Sequence, residues 1–112
     1  MSDFADITVP EFQNLAARED VVVVDVRTEA EVERGVIPGA RHIVLQQLPQ
    51  RMDELPRDKP LVMVCQSGGR SQQAAGFLAA QGFERVHNLR GGVLAWMREG
   101  EMLVPLGQSD SS

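Results

Sequence analysis

The chain has 112 residues, 43% of them hydrophobic and 24% charged. That fits one domain with a real core, since folding at this size buries roughly 65% of the unfolded chain's surface. Eleven Lys and Arg against sixteen Asp and Glu give a net charge of -5. Such a chain has no general attraction for phosphate backbones or anionic lipid, so neither nucleic acid nor membrane is expected as a partner. The single cysteine, Cys65, rules out an internal disulfide and a multi-thiolate metal site. No apolar stretch approaches the roughly 20 residues of a spanning helix. Residues 1–6 lack a positive segment followed by an apolar run, so no signal peptide is expected. The expected location is cytoplasmic, where a lone thiol stays reduced.

In chain order, Ile7 is a short strand candidate. Thr8-Val9-Pro10-Glu11 then has the spacing of a capping box with proline in the first turn. Phe12, Leu15 and Ala16 supply one apolar face of the helix it opens. Val21 to Val26 is a β-branched run interrupted only by Asp25. Thr28-Glu29-Ala30-Glu31 repeats the capping signature. Arg41 to Val44 is another short strand candidate, and Leu48, Met52 and Leu55 mark a third helix ending near Pro56. Leu61 to Val64 is a second apolar run. A fourth helix is predicted from Ser71, with Ala74, Phe77, Leu78 and Gln81 on one side and Gly82 as its stop. Val86 to Leu89 is a strand candidate, and Gly92 to Arg98 a fifth helix. Apolar runs without alternation suit strands covered on both faces. Alternating strands and helices predict an α/β domain with a central parallel sheet over residues 5–105. Residues 106–112 form a polar tail expected to fray.

In such sheets ligands bind beyond the carboxyl ends of strands. Two of those ends carry chemistry: Asp25-Val26-Arg27 and Cys65-Gln66-Ser67-Gly68-Gly69-Arg70-Ser71. After Cys65 the chain must turn from strand into helix, and Gly68 and Gly69 permit the backbone angles required. Such a turn aims successive N–H groups at one centre. The following helix adds its unpaired N–H groups and positive dipole end, and Arg70 adds a charge. All three favour thiolate over thiol; in comparable settings a cysteine pKa falls to roughly 3.5–7.5. A lone cysteine is ordinarily a small buried hydrophobe, but a structural cysteine does not need a glycine-rich, arginine-containing loop behind it. A phosphate-cradling P-loop is excluded because no Gly-Lys-Ser/Thr follows.

This loop resembles the active-site loop of the rhodanese family. Asp25-Val26-Arg27, Glu31 and Gly35-Val36-Ile37-Pro38-Gly39-Ala40 resemble the family's upstream signature. Asn88-Leu89-Arg90-Gly91-Gly92, with Trp96 following, resembles its closing one. The match runs from about Ile7 to Pro105. The resemblance implies a five-stranded parallel sheet flanked by helices on both faces, and a sulfurtransferase working by double displacement. Cys65 would take the sulfane sulfur of thiosulfate or a persulfide donor. It would then pass that sulfur to cyanide in an assay, to a thiol in the cell, or to a sulfur-relay protein partner. Gln66, Ser67, Gly68, Gly69, Arg70 and Ser71 would bind the anionic sulfur, with Asp25 and Arg27 in support. No metal and no organic cofactor is implied. The family often has His where this chain has Val36; a thiolate that is already ionised needs no general base.

Other readings stay open beside this one. A persulfide carrier for one dedicated partner differs only in donor and acceptor. Cell-cycle phosphatases of the same fold, and arsenate reduction, also use a loop cysteine, but five residues separate Cys from Arg in the phosphatase loop. Here there are four, and one residue adds up to about 3.3–3.6 Å of chain. The smaller ring favours a single sulfur over a tetrahedral phosphate, and no acid for a leaving oxygen lies in the loop. Non-catalytic rhodanese-like modules commonly lack the cysteine. Asp25 and Arg27 read best as a structural group, with Arg27 paired to a carboxylate such as Glu31; Glu31 reads equally as the capping residue of Thr28. Trp96 reads as core, His42 and His87 as surface or strand-end residues. Gly91 and Gly92 either let backbone approach the loop or serve an ordinary turn. Arg41 and Arg90 are candidates for positive potential at the mouth.

Overall fold

The computed structural model describes residues 3–107; beyond Gly107 the expected tail lies outside the described residues. Five parallel strands form one sheet: β1 (Ala5–Ile7), β2 (Val22–Asp25), β3 (Arg41–His42), β4 (Leu61–Val64) and β5 (Val86–Leu89), in the order β1-β5-β4-β2-β3. Five helices connect them: α1 (Val9–Arg18), α2 (Glu29–Val32), α3 (Leu48–Arg51), α4 (Gly69–Ala80) and α5 (Gly92–Arg98). Among the described residues no helix is long and apolar enough to cross a membrane.

The unalternated strands are buried on both sides. Every residue of β2 and β4 is buried, and successive side chains go to opposite faces. Val22, Val24, Leu61 and Met63 join Ala74, Ala75 and Leu78 of α4, together with Leu48 and Leu55, on one face. Val23, Val62 and Val64 join Val9 and Phe12 of α1 with Val93 and Trp96 of α5 on the other. This parity decides where the cysteine goes. Cys65 follows Leu61 and Met63 in step and belongs to the cluster under α4. Its sulfur is therefore delivered to the start of α4.

Both capping boxes form. Thr8 Oγ1 accepts from Glu11 N–H while Thr8 N–H donates to Glu11, and Thr28 and Glu31 do the same. Trp96 is core: it is 7% exposed, packs against Phe12 with ring centroids 5.8 Å apart, and donates Nε1–H to the Met102 carbonyl at 2.9 Å. His42 and His87 bond backbone carbonyls of Arg27 and Leu61. Val36 is buried and exchanges two backbone hydrogen bonds of 2.8 Å with Val104, so that position serves the packing of the carboxyl-terminal segment.

Three boundaries differ from expectation. β3 is shorter than Arg41 to Val44, because beyond His42 the chain lifts from ladder pairing. Ile43 and Leu45 N–H still reach the Asp25 and Val26 carbonyls. The helix expected through Leu48, Met52 and Leu55 is a one-turn α3 between 3-10 turns at Leu45–Gln47 and Met52–Glu54. Only Leu48 and Leu55 are fully buried there, which anchors the ends of the segment without a stripe long enough to sustain a regular helix. α4 starts at Gly69, two residues before Ser71, with Gly68 as its left-handed cap (φ 111°). Ser71 thereby becomes a buried first-turn residue.

Candidate active site

The site is built where β4 ends and α4 begins. Cys65 is 1% exposed. Its Sγ accepts the Gly68 N–H at 3.1 Å and the Ser71 hydroxyl at 3.3 Å. Burial pushes the thiol's pKa up. Hydrogen bonds from the Ser71 hydroxyl and from the N–H groups of Ser71, Gly68 and Ser67 pull it down, and the net shift is downward. The donors outweigh desolvation, the condition for a buried thiolate.

The loop's other side is fixed by α5. Val93 and Leu94 N–H, in its first turn, donate to the Cys65 and Gln66 carbonyls at 2.9 and 3.2 Å. With those carbonyls held outward, the N–H groups of Ser67, Gly68 and Ser71 are left for the sulfur. This contact needs Gly92: its φ is 57°, and a Cβ there would fall on the Cys65 carbonyl oxygen and 2.6 Å from that of Gln66. Close backbone approach, the first of the two readings of Gly91-Gly92, is what position 92 provides.

Arg70 does not donate to the sulfur. Its two terminal nitrogens grip both oxygens of Glu31 at 2.8 Å. Glu31 therefore caps α2 and ties it to α4. The Arg70 guanidinium and the Thr28 cap hold its carboxyl at about 2, against an ordinary 4.5, in spite of partial burial. The expected Arg27–Glu31 pair is not formed, because Arg27 is taken by the nearer Asp25 carboxylate. Arg27 Nε and Nη2 reach Asp25 at 2.8–3.1 Å. Its remaining donors go to the Gly35 carbonyl at 2.7 Å and the Glu31 carbonyl at 3.4 Å. Asp25 and Arg27 are thus a buried, internally satisfied brace at the end of β2.

Clefts open on both sides of the loop. One, of about 360 Å³, runs past Gln66 between Arg27, Arg34, Met97 and Leu103. The other, of about 260 Å³, is lined by Ser67, Gly68, Gly69, Asp6, Asn88 and Arg90. Arg90 therefore stands beside the loop, whereas Arg41 donates to the Glu54 carbonyl on β3's side of the sheet. The residue the motif reading passed over is Asn88. It is 4% exposed, accepts from the Ser71 hydroxyl, and donates to Asp6 at 2.9 Å. An amide in the middle of a buried strand was the available signal, since a buried polar group has a partner.

A strand-end cysteine under a helix start, in a parallel sheet of this order, defines a rhodanese-like domain. The family model for that domain matches residues 8–99, and the chain belongs to this family. A sulfurtransferase of Allochromatium vinosum is 49% identical over 92 residues, covering 82% of this chain and 86% of its own. A thiosulfate sulfurtransferase GlpE of Pseudoalteromonas translucida is 37% identical over 93 residues, covering 83% and 89%. The crystal structure of a rhodanese-related protein from Thermoplasma volcanium superposes with a TM-score of 0.80 at 29% identity, covering 90% of this chain and 98% of that one.

Two outcomes follow from this geometry. Gly92→Ala should destabilise the protein by about 1–2 kcal/mol from the left-handed backbone alone, read from urea unfolding. It should also slow alkylation of Cys65 at pH 7 by disturbing the loop. Glu31 has a folded pKa of about 2 against an ordinary 4.5, so its contribution to stability is full above the unfolded value and is lost as pH falls through the folded one. Urea midpoints of wild type and Glu31→Gln should therefore differ most above pH 4.5 and converge by about pH 2. A pH-independent difference would detach the Arg70 pair from this ionisation.

Proposed function

We propose that this sulfurtransferase works through a persulfide on Cys65, with thiosulfate as a competent donor and cyanide or a thiol as acceptor. The Cys65 thiolate attacks the sulfane sulfur of thiosulfate; the new S–S bond forms as the sulfane sulfur–sulfonate bond breaks. The bonding pair leaves with sulfite, and the negative charge passes to the outer sulfur. The acceptor then attacks that outer sulfur, giving thiocyanate from cyanide, and the Cys65 thiolate returns. Loop N–H groups of residues 66–71 hold the negative charge at both stages.

The observation that carries this reading is the donor set closed directly around one sulfur atom. It also favours sulfur over phosphate. Gly68 N–H and the Ser71 hydroxyl already contact Sγ, and Arg70 is turned away to Glu31. A phosphatase would need the arginine turned inward against its oxygens. The names of the sulfurtransferase relatives agree with the reading. Each cycle starts from a reduced thiol, a condition the cytoplasm supplies. A relay protein with an exposed cysteine is a second class of acceptor.

Reduced protein incubated with thiosulfate should gain one sulfur on Cys65, seen by intact mass, and turn over cyanide to thiocyanate. Cys65→Ser should abolish both, and full turnover by that variant would refute the mechanism. Arg70→Ala leaves the Glu31 carboxylate unpaired beside the loop. It should weaken thiosulfate more than a neutral sulfane donor, and Arg70→Ala with Glu31→Ala should recover part of the loss. Equal loss for both donors would make the pair purely structural.

A further inference from the structure

Ser71 has one hydroxyl proton and two acceptors for it. Cys65 Sγ lies at 3.3 Å and Asn88 Oδ1 at 2.5 Å. One O–H cannot serve both fully. Which end of the Asn88 amide faces Ser71 is fixed from outside: Nδ2 donates to Asp6 Oδ1 at 2.9 Å. An ionised carboxylate only accepts, so the amide's nitrogen is held toward Asp6 and its oxygen toward Ser71. A chain thus runs from an exposed carboxylate on β1, through a buried amide on β5, to a buried hydroxyl on α4 and the sulfur.

We propose that Asn88 is a positioning residue that competes with the Cys65 thiolate for the Ser71 proton and so keeps the sulfur more basic than its loop alone would make it. The proposal rests on Cys65 being the sulfur-transferring nucleophile. A thiolate stabilised too far loses nucleophilicity, because reactivity falls as pKa falls. N–H donors cannot be turned off, but a hydroxyl can rotate. In the free thiolate the proton is shared between Asn88 and Sγ. Once the charge has moved to the outer sulfur, Sγ is a poorer acceptor and the proton goes to Asn88. The other charged groups facing this region are the Arg70–Glu31 pair across α4 and α2, Asp25 with Arg27 at the end of β2, and Arg90 in the cleft behind the loop. None of them hydrogen-bonds to the Ser71 hydroxyl or the Asn88 amide.

The test is the pH dependence of Cys65 alkylation by iodoacetamide in the reduced full-length protein. Asn88→Ala should move the midpoint downward, so that alkylation below the wild-type midpoint speeds up about three- to tenfold, the equivalent of one ordinary hydrogen bond. Ser71→Ala should move it upward. In the Ser71→Ala background, Asn88→Ala should shift nothing further. Asp6→Asn, at an exposed position, relaxes the hold on the amide and should give a smaller downward shift. It carries the test alone if Asn88→Ala does not fold. An unchanged or raised midpoint in Asn88→Ala, a shift that persists without the Ser71 hydroxyl, or no shift in a folded Asp6→Asn when Asn88→Ala cannot be read overturns the proposal. Alkylation requires no sulfur donor. Failure of wild type to take sulfur from thiosulfate, with these shifts intact, would therefore count against the sulfur-transfer reading alone.

Discussion

A sulfur that must be both buried and ionisable has to find hydrogen-bond donors at the place where it is buried. Desolvation disfavours the charged form, and Cys65 is almost wholly covered. The chain resolves this by ending a fully buried strand directly beneath a helix start, where N–H groups have no partner of their own. Gly68 N–H, the first turn of α4 and the Ser71 hydroxyl converge on Sγ. The strand's burial and the helix's unmet donors are each a cost, and each relieves the other. The central position of β4 in the sheet follows from the same need, since an edge strand would leave the sulfur in water.

The rest of the structure holds that arrangement from several directions. α5 takes the loop carbonyls and so fixes the outward side of the turn, through a glycine that no residue with a Cβ can replace without moving backbone. Glu31 ties α2 to α4 through Arg70. The Asp25–Arg27 brace closes the end of the neighbouring strand, where Asp25 pairs in register with Val64, one residue before the cysteine. A buried ion pair is weak evidence for stability as such. The bonds that Arg27 donates to the Asp25 carboxylate and to two carbonyls nonetheless give the β2 end one conformation, which the loop beside it needs. Arg70 spends both terminal nitrogens on Glu31 and acts on the sulfur through its charge alone. The hydrogen bonds to the sulfur come from peptide groups and one hydroxyl.

Much of this was legible in the residues. The two capping boxes declared themselves by Thr and Glu three apart, and both form as written because a cap is a local interaction. The valine run of β2 and the Leu61 to Val64 run declared burial on both faces. Trp96 as core and the glycine-rich turn after Cys65 also needed only short-range reasoning. The errors share one physical character. Arg27 was given the wrong carboxylate and α4 the wrong first residue. In each case several partners lie within a side chain's reach, and the choice is made by the angle at which two elements meet. Asn88 was quoted within a motif and assigned no task, because the partner that gives it one, Ser71, is seventeen residues away and on another element.

The sequence by itself determined that a cysteine ends a buried strand and opens a glycine-rich turn, and that the surrounding motifs are those of a rhodanese-like chain. It could do so because strand period, caps and turn chemistry are written within a few residues. Only the tertiary structure decided which donors meet the sulfur, which carboxylate holds each arginine, and that a single serine proton lies between Cys65 and Asn88. Those are facts about distances between elements far apart in the chain, and they are fixed by how the sheet and helices pack.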